Sequence, residues 1–288
     1  MTDLHQRVLA WYDHYARVLP WREPSATPWA VLVSEFMLQQ TPVARVLPVY
    51  EQWMLTWPTP AHLADASTGD AVRAWGRLGY PRRALRLHQV ATVIVTHHGG
   101  QVPPSHADLR ALPGVGDYTA AAVASFAFAQ RHVVLDTNVR RVLARAVAGT
   151  ELPASTLTKP ERELAAALLP EDPTTAAGWA VAVMELGALV CTAGSPKCAA
   201  CPISDLCAWR NSGYPAYDGP PRRAQAYAGT DRQCRGKLLH MLRETPGSVH
   251  RSQLDVVWSN AEQRHRCLAS LVEDGLVARL AEDGYALP

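Results

Sequence analysis

The stretch that decides the fold is LPGVGDYTAAAVASFAFAQRHVVLDTN, residues 112–138. It opens with two glycines around Val115 and continues through a run of small residues, mostly alanine. Glycine permits positive φ and leaves backbone N–H groups uncovered, and the N-terminus of the following helix adds unsatisfied donors and a positive dipole end. The stretch therefore predicts two closely packed helices joined by a turn that can hold a phosphate. A simple helix–helix turn is the alternative.

Asp136 ends this stretch after the apolar approach of residues 133–135. A carboxylate at this place can cap the helix predicted over 139–148, because Asp is among the preferred N-cap residues. It can also be a catalytic anion held at the start of that helix. Both interpretations can hold for the same residue.

The rest of the first 210 residues predicts helix after helix with short loops, and no stretch alternates as a strand does. The chain is therefore all-α in this part. Predicted helices cover residues 3–18, 29–40, 41–56, 61–66, 69–77, 82–97, 105–111, 158–169 and 174–189.

The last part of the chain differs in composition. Residues 211–229 are rich in Pro, Gly, Tyr and Arg and predict a linker. Three helices follow over 231–243, 252–258 and 261–274, and a small hairpin pairs 276–280 with 285–287. This pattern predicts a winged-helix-like module over residues 230–288.

Bulk composition allows more than one domain and excludes a membrane-spanning protein. The 288 residues are 48% hydrophobic and 19% charged, no apolar run reaches a membrane span, and no signal-peptide pattern is present. We therefore expect a cytoplasmic protein of bacterial type. Net charge is only +2. The arginine clusters can bind phosphates, or they can form solvated helix faces, and the charge taken alone favours the second interpretation. These clusters are Arg73, Arg77, Arg82, Arg83 and Arg86, and Arg140, Arg141 and Arg145.

Glu35 is the only charged residue of the segment WAVLVSEFMLQQ, residues 29–40. It is either a surface glutamate at the edge of a helix or a carboxyl in an apolar pocket. In the second case burial raises its pKa, which suits a general acid near neutral pH.

Four of the six cysteines fall within seventeen residues, with the spacing C-x6-C-x2-C-x5-C. Such clustering in a cytoplasmic chain indicates metal binding and not disulfides. Zinc and an iron–sulfur cluster both accept four thiolates, and the spacing alone does not decide between them. The four are Cys191, Cys198, Cys201 and Cys207.

Together these segments resemble the endonuclease III / MutY superfamily of DNA glycosylases, most closely its adenine-specific branch. The resemblance covers residues 19–210 and rests on several motifs in family order. These are LPWR, SEFMLQQT, WGRLGY, LPGVGDYTA, VLDTNVRRVLAR, MELGALVC and the four-cysteine loop. The loop is similar to the 4Fe-4S loop of that superfamily, which favours iron–sulfur over zinc.

The resemblance implies a helix-hairpin-helix DNA glycosylase fold of two helical lobes. Residues 1–23 and 132–210 would form one lobe, which carries the cluster loop. Residues 24–131 would form a six-helix lobe that contains the hairpin, and the DNA cleft would lie between the two lobes. The linker 211–229 and the module 230–288 would follow.

It also implies a monofunctional enzyme of base excision repair. The enzyme would flip adenine, mispaired with 8-oxoguanine or guanine, out of double-stranded DNA and hydrolyse its glycosidic bond. Glu35 matches the general acid that protonates the departing base, and Asp136 matches the carboxylate that stabilises the cationic sugar. Asn138 would orient this site, and Tyr118 would line it. A monomer at the bacterial nucleoid is expected.

Further residues match contact positions of the family. Trp21, Arg22, Leu38 and Val43 match the adenine pocket, Gln40 would enter the stack near the opposite base, and Glu185 would line the active site. Contacts to DNA are implied for Gln39, Thr41, Leu112, Gly114, Val115 and Gly116, and cluster ligation for Cys191, Cys198, Cys201 and Cys207.

Tyr118 bears on the type of chemistry. Bifunctional relatives carry a lysine there, which forms a Schiff base with the sugar and cuts the strand. The chain has only three lysines, Lys159, Lys197 and Lys237, and none lies near this motif. We therefore expect base removal without an efficient lyase step.

Two other functions stay open at this point. One is a thymine or uracil mismatch glycosylase of the same superfamily, and the other is a non-catalytic iron–sulfur DNA-binding regulator. The short module over 230–288 also departs from the usual C-terminal domain of the family, which reads 8-oxoguanine and contains a sheet. The module is expected to grip DNA or to stabilise the catalytic lobes.

Overall fold

A computed structural model describes residues 1–220 and 227–288, most of which are helical. No helix in this part of the chain is both long enough and apolar enough to span a membrane. The helices are α1 (Asp3–Tyr15), α2 (Pro28–Leu38), α3 (Val43–Thr56), α4 (Pro60–Ala64), α5 (Thr68–Trp75), α6 (Arg82–His97), α7 (His106–Ala111), α8 (Asp117–Phe128), α9 (Thr137–Ala146), α10 (Lys159–Ala167), α11 (Pro173–Leu189), α12 (Ala208–Asn211), α13 (Asp231–Glu244), α14 (Arg251–Asp255) and α15 (Ala261–Glu273). Short 3-10 helices lie at Pro20–Arg22 and Cys198–Ala200, and the strands are β1 (Val249–His250), β2 (Ala278–Arg279) and β3 (Gly284–Ala286).

The chain forms two compact units, each assembled from separate segments. The first contains Met1–Val31, Pro104–Ala111 and residues 115–220; the second contains Leu32–Pro103, Leu112–Gly114 and residues 227–288. The division into lobes expected from the resemblance stays a prediction. The predicted linker 211–229 lies partly outside the described residues, because these omit 221–226.

The core of the first unit is built where α1, α9 and α11 meet. Val8, Trp11, Val142, Val183 and Leu186 are buried there in one apolar cluster. Removing these side chains from water is the main force that holds the three helices together. This packing fixes the start of α9, where Asp136 lies.

The predicted hairpin is present as α7, a turn and α8. Leu112 is buried, and Gly114 has a φ of +75°. This positive φ favours glycine, and a Cβ at Gly114 would also lie 2.8 Å from Cδ of the flexible Arg86 side chain, which would have to move. The small residues of α8 are buried, as expected for a helix that packs closely; they include Ala120, Ala122 and Ala124.

In the second unit, tryptophans fill the space beside α3 and α5. Trp53 and Trp75 are almost completely buried, and their rings meet edge to face with centroids 5.7 Å apart. Trp57 meets Trp53 in the same way at 4.6 Å. Edge-to-face pairs add to the burial energy, so this cluster stabilises the segment in which α5 ends.

Residues 230–288 form the three helices and the hairpin that the sequence predicts. Their antiparallel sheet has the strand order β1-β3-β2. The first strand was not predicted because two residues are too few to show an alternating pattern. Leu238, Leu271, Val249 and Tyr285 are buried between the helices and the sheet.

Most predicted helices are present, but several end earlier than expected. The boundaries of α6 match the prediction, whereas α1 ends at Tyr15, before the highly exposed Val18. The helix predicted over 29–40 ends at Leu38, and Gln40 adopts a φ of +55°. Pro42 explains this end, because a proline disfavours the helical conformation of the residue before it.

Candidate active site

Asp136 is the N-cap of α9. Its Oδ1 accepts a hydrogen bond from the backbone N–H of Val139 at 2.7 Å, and its Oδ2 accepts one from the Asn138 amide at 2.7 Å. Burial raises the pKa of Asp136 above the usual aspartate range, although both hydrogen bonds and the Arg141 charge act in the opposite direction. The carboxylate is thus held in one orientation by neutral donors, which leaves its charge available to a cation.

Asn138 is itself held in place by a buried arginine. Nη2 of Arg141 donates to Oδ1 of Asn138 at 2.8 Å and to the carbonyl of Gly187 at 2.7 Å. A Cβ at Gly187 would lie 2.7 Å from Cβ of Asn138, so only glycine allows α11 this close to α9. The orientation of the Asp136 carboxylate therefore depends on contacts made by both helices.

Glu185 on α11 is fully buried and is paired with two arginines. Nε and Nη2 of Arg17 each donate to its carboxylate at 2.7 Å, and Nη1 of Arg22 lies 3.0 Å from its Oε2. Burial by itself raises the pKa of Glu185, but the hydrogen bonds from Arg17 and the charge of Arg22 together lower it below the usual glutamate range. Glu185 is thus a fixed anion, and it orients Arg22.

Two other predicted residues of the first unit are aromatic. Trp21 lies in the 3-10 helix next to Arg22 and is buried. Tyr118 lies in the first turn of α8 and packs against an apolar cluster that contains Ala121, Val134 and Ala180. A tyrosine in this position can line a binding site but cannot form a Schiff base.

The four-cysteine loop follows α11. All four thiols are partly buried, and the Cys201 thiol interacts electrostatically with the other three. Burial is the main cause that raises the pKa of Cys201 to about 11. A bound metal lowers the pKa of a cysteine ligand, because it stabilises the thiolate. Burial also raises the pKa of Cys191, and Arg145, whose Nη1 lies 3.5 Å from Sγ of Cys191, acts in the opposite direction.

The donor set fits a metal centre that takes four thiolate ligands. The Cys201 thiol lies close enough to the other three to interact with them electrostatically, and all four belong to one loop. These four cysteines would hold such a centre.

The arginines of α9 correct an expectation from the sequence. Arg141 and Arg145 are buried and do not form a solvated helix face. Arg145 donates to the carbonyls of Thr192 and Glu151, and Arg141 donates to the carbonyl of Cys191. The guanidinium groups of Arg141 and Arg145 thus connect the cysteine loop to α9. Arg140 forms a salt bridge with Glu161 at 2.7 Å.

Glu35 belongs to the second unit and lies on α2. It is only 6% exposed, and Leu32, Phe36 and Met37 beside it on the helix are buried. The interpretation of Glu35 as a surface glutamate at a helix edge is therefore wrong.

The segment Gln39–Thr41 follows α2 as a tight turn. Oγ1 of Thr41 donates to the carbonyl of Gln39 at 3.2 Å and to that of Leu78 at 3.3 Å, and Arg83 also donates to the Gln39 carbonyl. Gln40 is exposed at the tip with positive φ. A non-glycine residue in this conformation persists only where the surroundings hold it, so the turn presents Gln40 to solvent in a fixed way.

The remaining predicted contacts are placed as follows. Leu38 and Val43 are half-buried on either side of the Gln39–Thr41 turn, Leu112 is buried, and Gly114 is exposed; all four belong to the second unit. Val115 is buried and Gly116 exposed in the first unit, where Asp136, Asn138 and Glu185 also lie.

Sequence reasoning missed three residues that hold the first-unit site. Arg17 and Gly187 carry no recognisable signal on their own, although Gly187 lies two residues after Glu185 in MELG. Arg141 could have been found from its spacing, because it lies three residues after Asn138 on the same helical face.

Comparisons with known proteins show the family of the chain. Residues 33–166 match the family described as HhH-GPD superfamily base excision DNA repair protein. The chain is 55% identical over 282 residues to adenine DNA glycosylase of Mycobacterium tuberculosis, which covers 98% of this chain and 92% of the relative. It is 34% identical over 212 residues to thymine-DNA glycosylase of Aeropyrum pernix, which covers 73% of this chain and 95% of the relative.

Structural comparison gives the same fold. The solved structure of a thermostable thymine-DNA glycosylase matches with a TM-score of 0.64 and 27% identity, covering 73% of this chain and 95% of that one. Residues 191–207 match the iron–sulfur binding domain of endonuclease III, and this span begins at Cys191 and ends at Cys207. The cysteine loop therefore holds a 4Fe-4S cluster, as the resemblance implied.

Proposed function

Because the chain belongs to the HhH-GPD superfamily of base excision DNA repair proteins, we propose that it is a monofunctional adenine DNA glycosylase. Its substrate is double-stranded DNA in which adenine is mispaired with 8-oxoguanine or guanine. Adenine release is supported by the 55% identity, across almost the whole chain, to a relative named adenine DNA glycosylase. The opposite base is inferred from the family resemblance.

The observation that carries this proposal is the environment of Asp136. Breaking the glycosidic bond leaves positive charge on the sugar, and a nearby carboxylate stabilises it, as in the hydrolysis of other glycosides. Asp136 offers a carboxylate fixed by Val139 and Asn138, and no arginine among the described residues forms a direct salt bridge with it, although the Arg141 charge acts on it from farther away. Its negative charge is therefore not already neutralised by a bound cation.

Glu35 is the proposed general acid. Departing adenine is a poor anionic leaving group, and protonation in the transition state accelerates such a departure roughly 100- to 10,000-fold. The burial of Glu35 among apolar side chains supports this role, because it removes the carboxyl from competing bulk water.

The other site residues would bind and orient the substrate. Trp21, Arg22, Leu38 and Val43 would form the adenine pocket, with Arg22 oriented by Glu185. Gln40 would enter the base stack, and residues 39–41 and 112–116 would contact the backbone. When bound, the 4Fe-4S cluster holds four thiolates together and so orders the loop.

The central test is incubation with duplexes that contain A:8-oxoG, A:G, A:C, T:G or U:G, followed by alkali cleavage. We expect cleavage at adenine in the first two duplexes, and little release from Glu35→Gln or Asp136→Asn. Normal rates in either variant would contradict the assigned roles.

Thymine release is the second candidate, and the relative named thymine-DNA glycosylase favours it. The T:G and U:G duplexes distinguish the two. Release of thymine or uracil in place of adenine would replace the first proposal.

We also propose that strand cleavage is inefficient, because Tyr118 stands where a lyase needs lysine. Borohydride should trap little covalent complex between the protein and DNA. Efficient trapping would show that another amine forms a Schiff base.

The protein is proposed to act as a monomer at the chromosome, since its substrate is DNA. Light scattering of the protein with and without a mismatched duplex tests the first point. A dimeric mass in both samples would contradict it.

A further inference from the structure

The C-terminal module, residues 227–288, has eight basic and eight acidic residues and therefore no net charge. Each of its basic side chains has a partner in the second unit. The basic residues and their partners are Arg232 with Tyr227, Arg235 with Asp274, Lys237 with Trp258, Arg243 with two carbonyls, Arg251 and Arg264 with Asp255, Arg266 with Asp231, and Arg279 with Asp283. A DNA-binding surface normally shows a net excess of cations, and the module has as many acidic as basic residues, with most of its basic side chains in salt bridges.

Arg243 is the basic residue of the module whose side chain reaches α5. Its Nε donates to the carbonyl of Val72 at 2.9 Å, and its Nη1 donates to that of Gly76. Arg73 on α5 donates in return to the carbonyl of Arg243. The two arginines thus join α13 to the last turn of α5 by contacts in both directions.

Among the described residues, no carboxylate forms a salt bridge with Arg243, although the charge of Glu244 acts to raise the pKa of this arginine. Burial lowers its pKa to about 10, and the neighbouring Arg73 charge acts in the same direction, so the group is still charged at neutral pH. Its Nη2 is buried without a hydrogen-bond partner. A buried cation held only by helix-end carbonyls costs free energy, so its main effect is to fix the backbone that it contacts.

The backbone that Arg243 fixes leads to the Gln39–Thr41 turn. Gly76 opens the turn 76–80, in which Gly76, Gly79 and Tyr80 all have positive φ. The carbonyl of Leu78 in this turn accepts the hydrogen bond from Thr41. The path from Arg243 to Thr41 therefore consists of one short turn with a hydrogen bond at each end.

We propose that Arg243 is a positioning residue for DNA recognition, which fixes the turn 76–80 and through it the Gln39–Thr41 segment. The module then supports mismatch binding indirectly, through the turn 76–80, and does not contact DNA itself. This inference rests on the proposed function, in which residues 39–41 contact the duplex.

The test uses the full chain with Arg243→Gln, Arg243→Lys and Arg73→Gln. Arg251→Gln is the matched control, since it removes a cation of the same module whose ion pair stays within the module. Three quantities are measured: affinity for a duplex with a stable abasic-site analogue opposite 8-oxoguanine, the salt dependence of that affinity, and amide hydrogen exchange. Single-turnover adenine release at saturating protein is measured in parallel.

We expect Arg243→Gln to raise Kd about tenfold, as the loss of net hydrogen bonds of this kind predicts. The slope of log K against log salt should be unchanged, and amides of residues 39–41 and 76–80 should exchange faster. Arg243→Lys should lie between wild type and Arg243→Gln, because one amine cannot replace the two-armed donor. Arg251→Gln should match wild type.

Two results would overturn the inference. A salt slope lowered by about 0.9 in Arg243→Gln would mean that Arg243 contacts a phosphate. Faster exchange confined to residues 231–273, with unchanged Kd, would mean that Arg243 only stabilises the module. If Arg243→Gln does not fold, Arg73→Gln tests the inference instead. It removes the hydrogen bond from Arg73 to the Arg243 carbonyl, and Arg73 is partly exposed. Failure of the wild type to release adenine would count against the proposed function, and the affinity and exchange data would still decide the inference.

Discussion

Two carboxylates of the first unit, Asp136 and Glu185, are held in opposite ways. Asp136 accepts hydrogen bonds from a backbone N–H and a neutral amide, and its pKa is raised. Glu185 accepts hydrogen bonds from Arg17 and lies beside Arg22, and its pKa is lowered. Of these two carboxylates, Glu185 is the one that forms salt bridges with arginines among the described residues.

The difference separates a carboxylate suited to chemistry from one suited to structure. A carboxylate that already has two guanidinium partners gains little by approaching a new cation. A carboxylate fixed by neutral donors keeps more of its charge available to a cationic sugar, and the N-terminus of α9 fixes where that charge lies. The burial of Asp136 in this arrangement also raises its pKa.

The largest expected effect on activity comes from Asp136→Asn. Asparagine is as good an N-cap as aspartate, so α9 should form normally while the stabilising charge is lost. We expect adenine release to fall roughly 100- to 1,000-fold or more. Single-turnover kinetics and thermal unfolding measured together check this. A Tm well below wild type would show that Asp136 has a structural role like that of Glu185.

Glu185→Gln should show the reverse pattern, with its main effect on stability. It leaves the partly buried Arg17 and Arg22 without their anion. Breaking a fully buried pair in this way costs about 3–5 kcal/mol, and solvent around Arg17 reduces the expected loss below that range. Denaturant unfolding measures the loss, with the exposed Glu163→Gln as control. Unchanged stability would show that the pair is not a structural element.

The pH dependence of stability follows from the same pair. Because the folded pKa of Glu185 is lowered, its stabilisation is present above the unfolded glutamate pKa and is lost as pH falls through the folded value. Wild type should therefore lose more stability on acidification than Glu185→Gln does. Parallel unfolding curves for the two proteins across the acid range would contradict the lowered pKa.

Asn138→Ala tests whether the Asn138 amide limits the rise in the pKa of Asp136. The amide of Asn138 lowers this pKa, so its removal should raise it further and move the acid limb of the activity profile to higher pH. Loss of a hydrogen bond to a charged group costs about 1.5–3 kcal/mol, or roughly tenfold or more in rate. The pH profile of single-turnover release measures both, with the exposed Thr137→Ala as control. An acid limb at the wild-type position would remove Asn138 from this role.

The smallest expected effect is that of Gly187→Ala. The new Cβ would meet Asn138 at 2.7 Å, and overpacking of this kind costs about 1–3 kcal/mol. Release should slow in proportion to the displacement of Asn138. Gly194→Ala is the matched control, because nothing lies within 4 Å of its Cβ position. Equal behaviour of the two variants would mean that the contact between α9 and α11 is adaptable.

Several features could be predicted because their causes are local. The apolar periodicity of residues 82–97 gives α6 with its observed bounds, and the preference of aspartate for the N-cap gives Asp136 its place at α9. The end of α2 before Pro42 could also have been predicted, since a proline disfavours the helical conformation of the residue before it. A local pattern is sufficient for each of these features.

The sequence by itself determined the helical class, the hairpin with its glycine at 114, the four-cysteine loop and the candidate carboxylates. Each of these is a matter of residue type and spacing along one short segment. Only the tertiary structure decided that Glu185 is bound by Arg17, that Arg141 reaches the Gly187 carbonyl, and that Arg243 reaches α5 from the C-terminal module. In each of these three contacts an arginine donates to an acceptor that is distant in sequence. Hydrogen bonds of this kind depend on how the helices pack, and local spacing does not encode that packing.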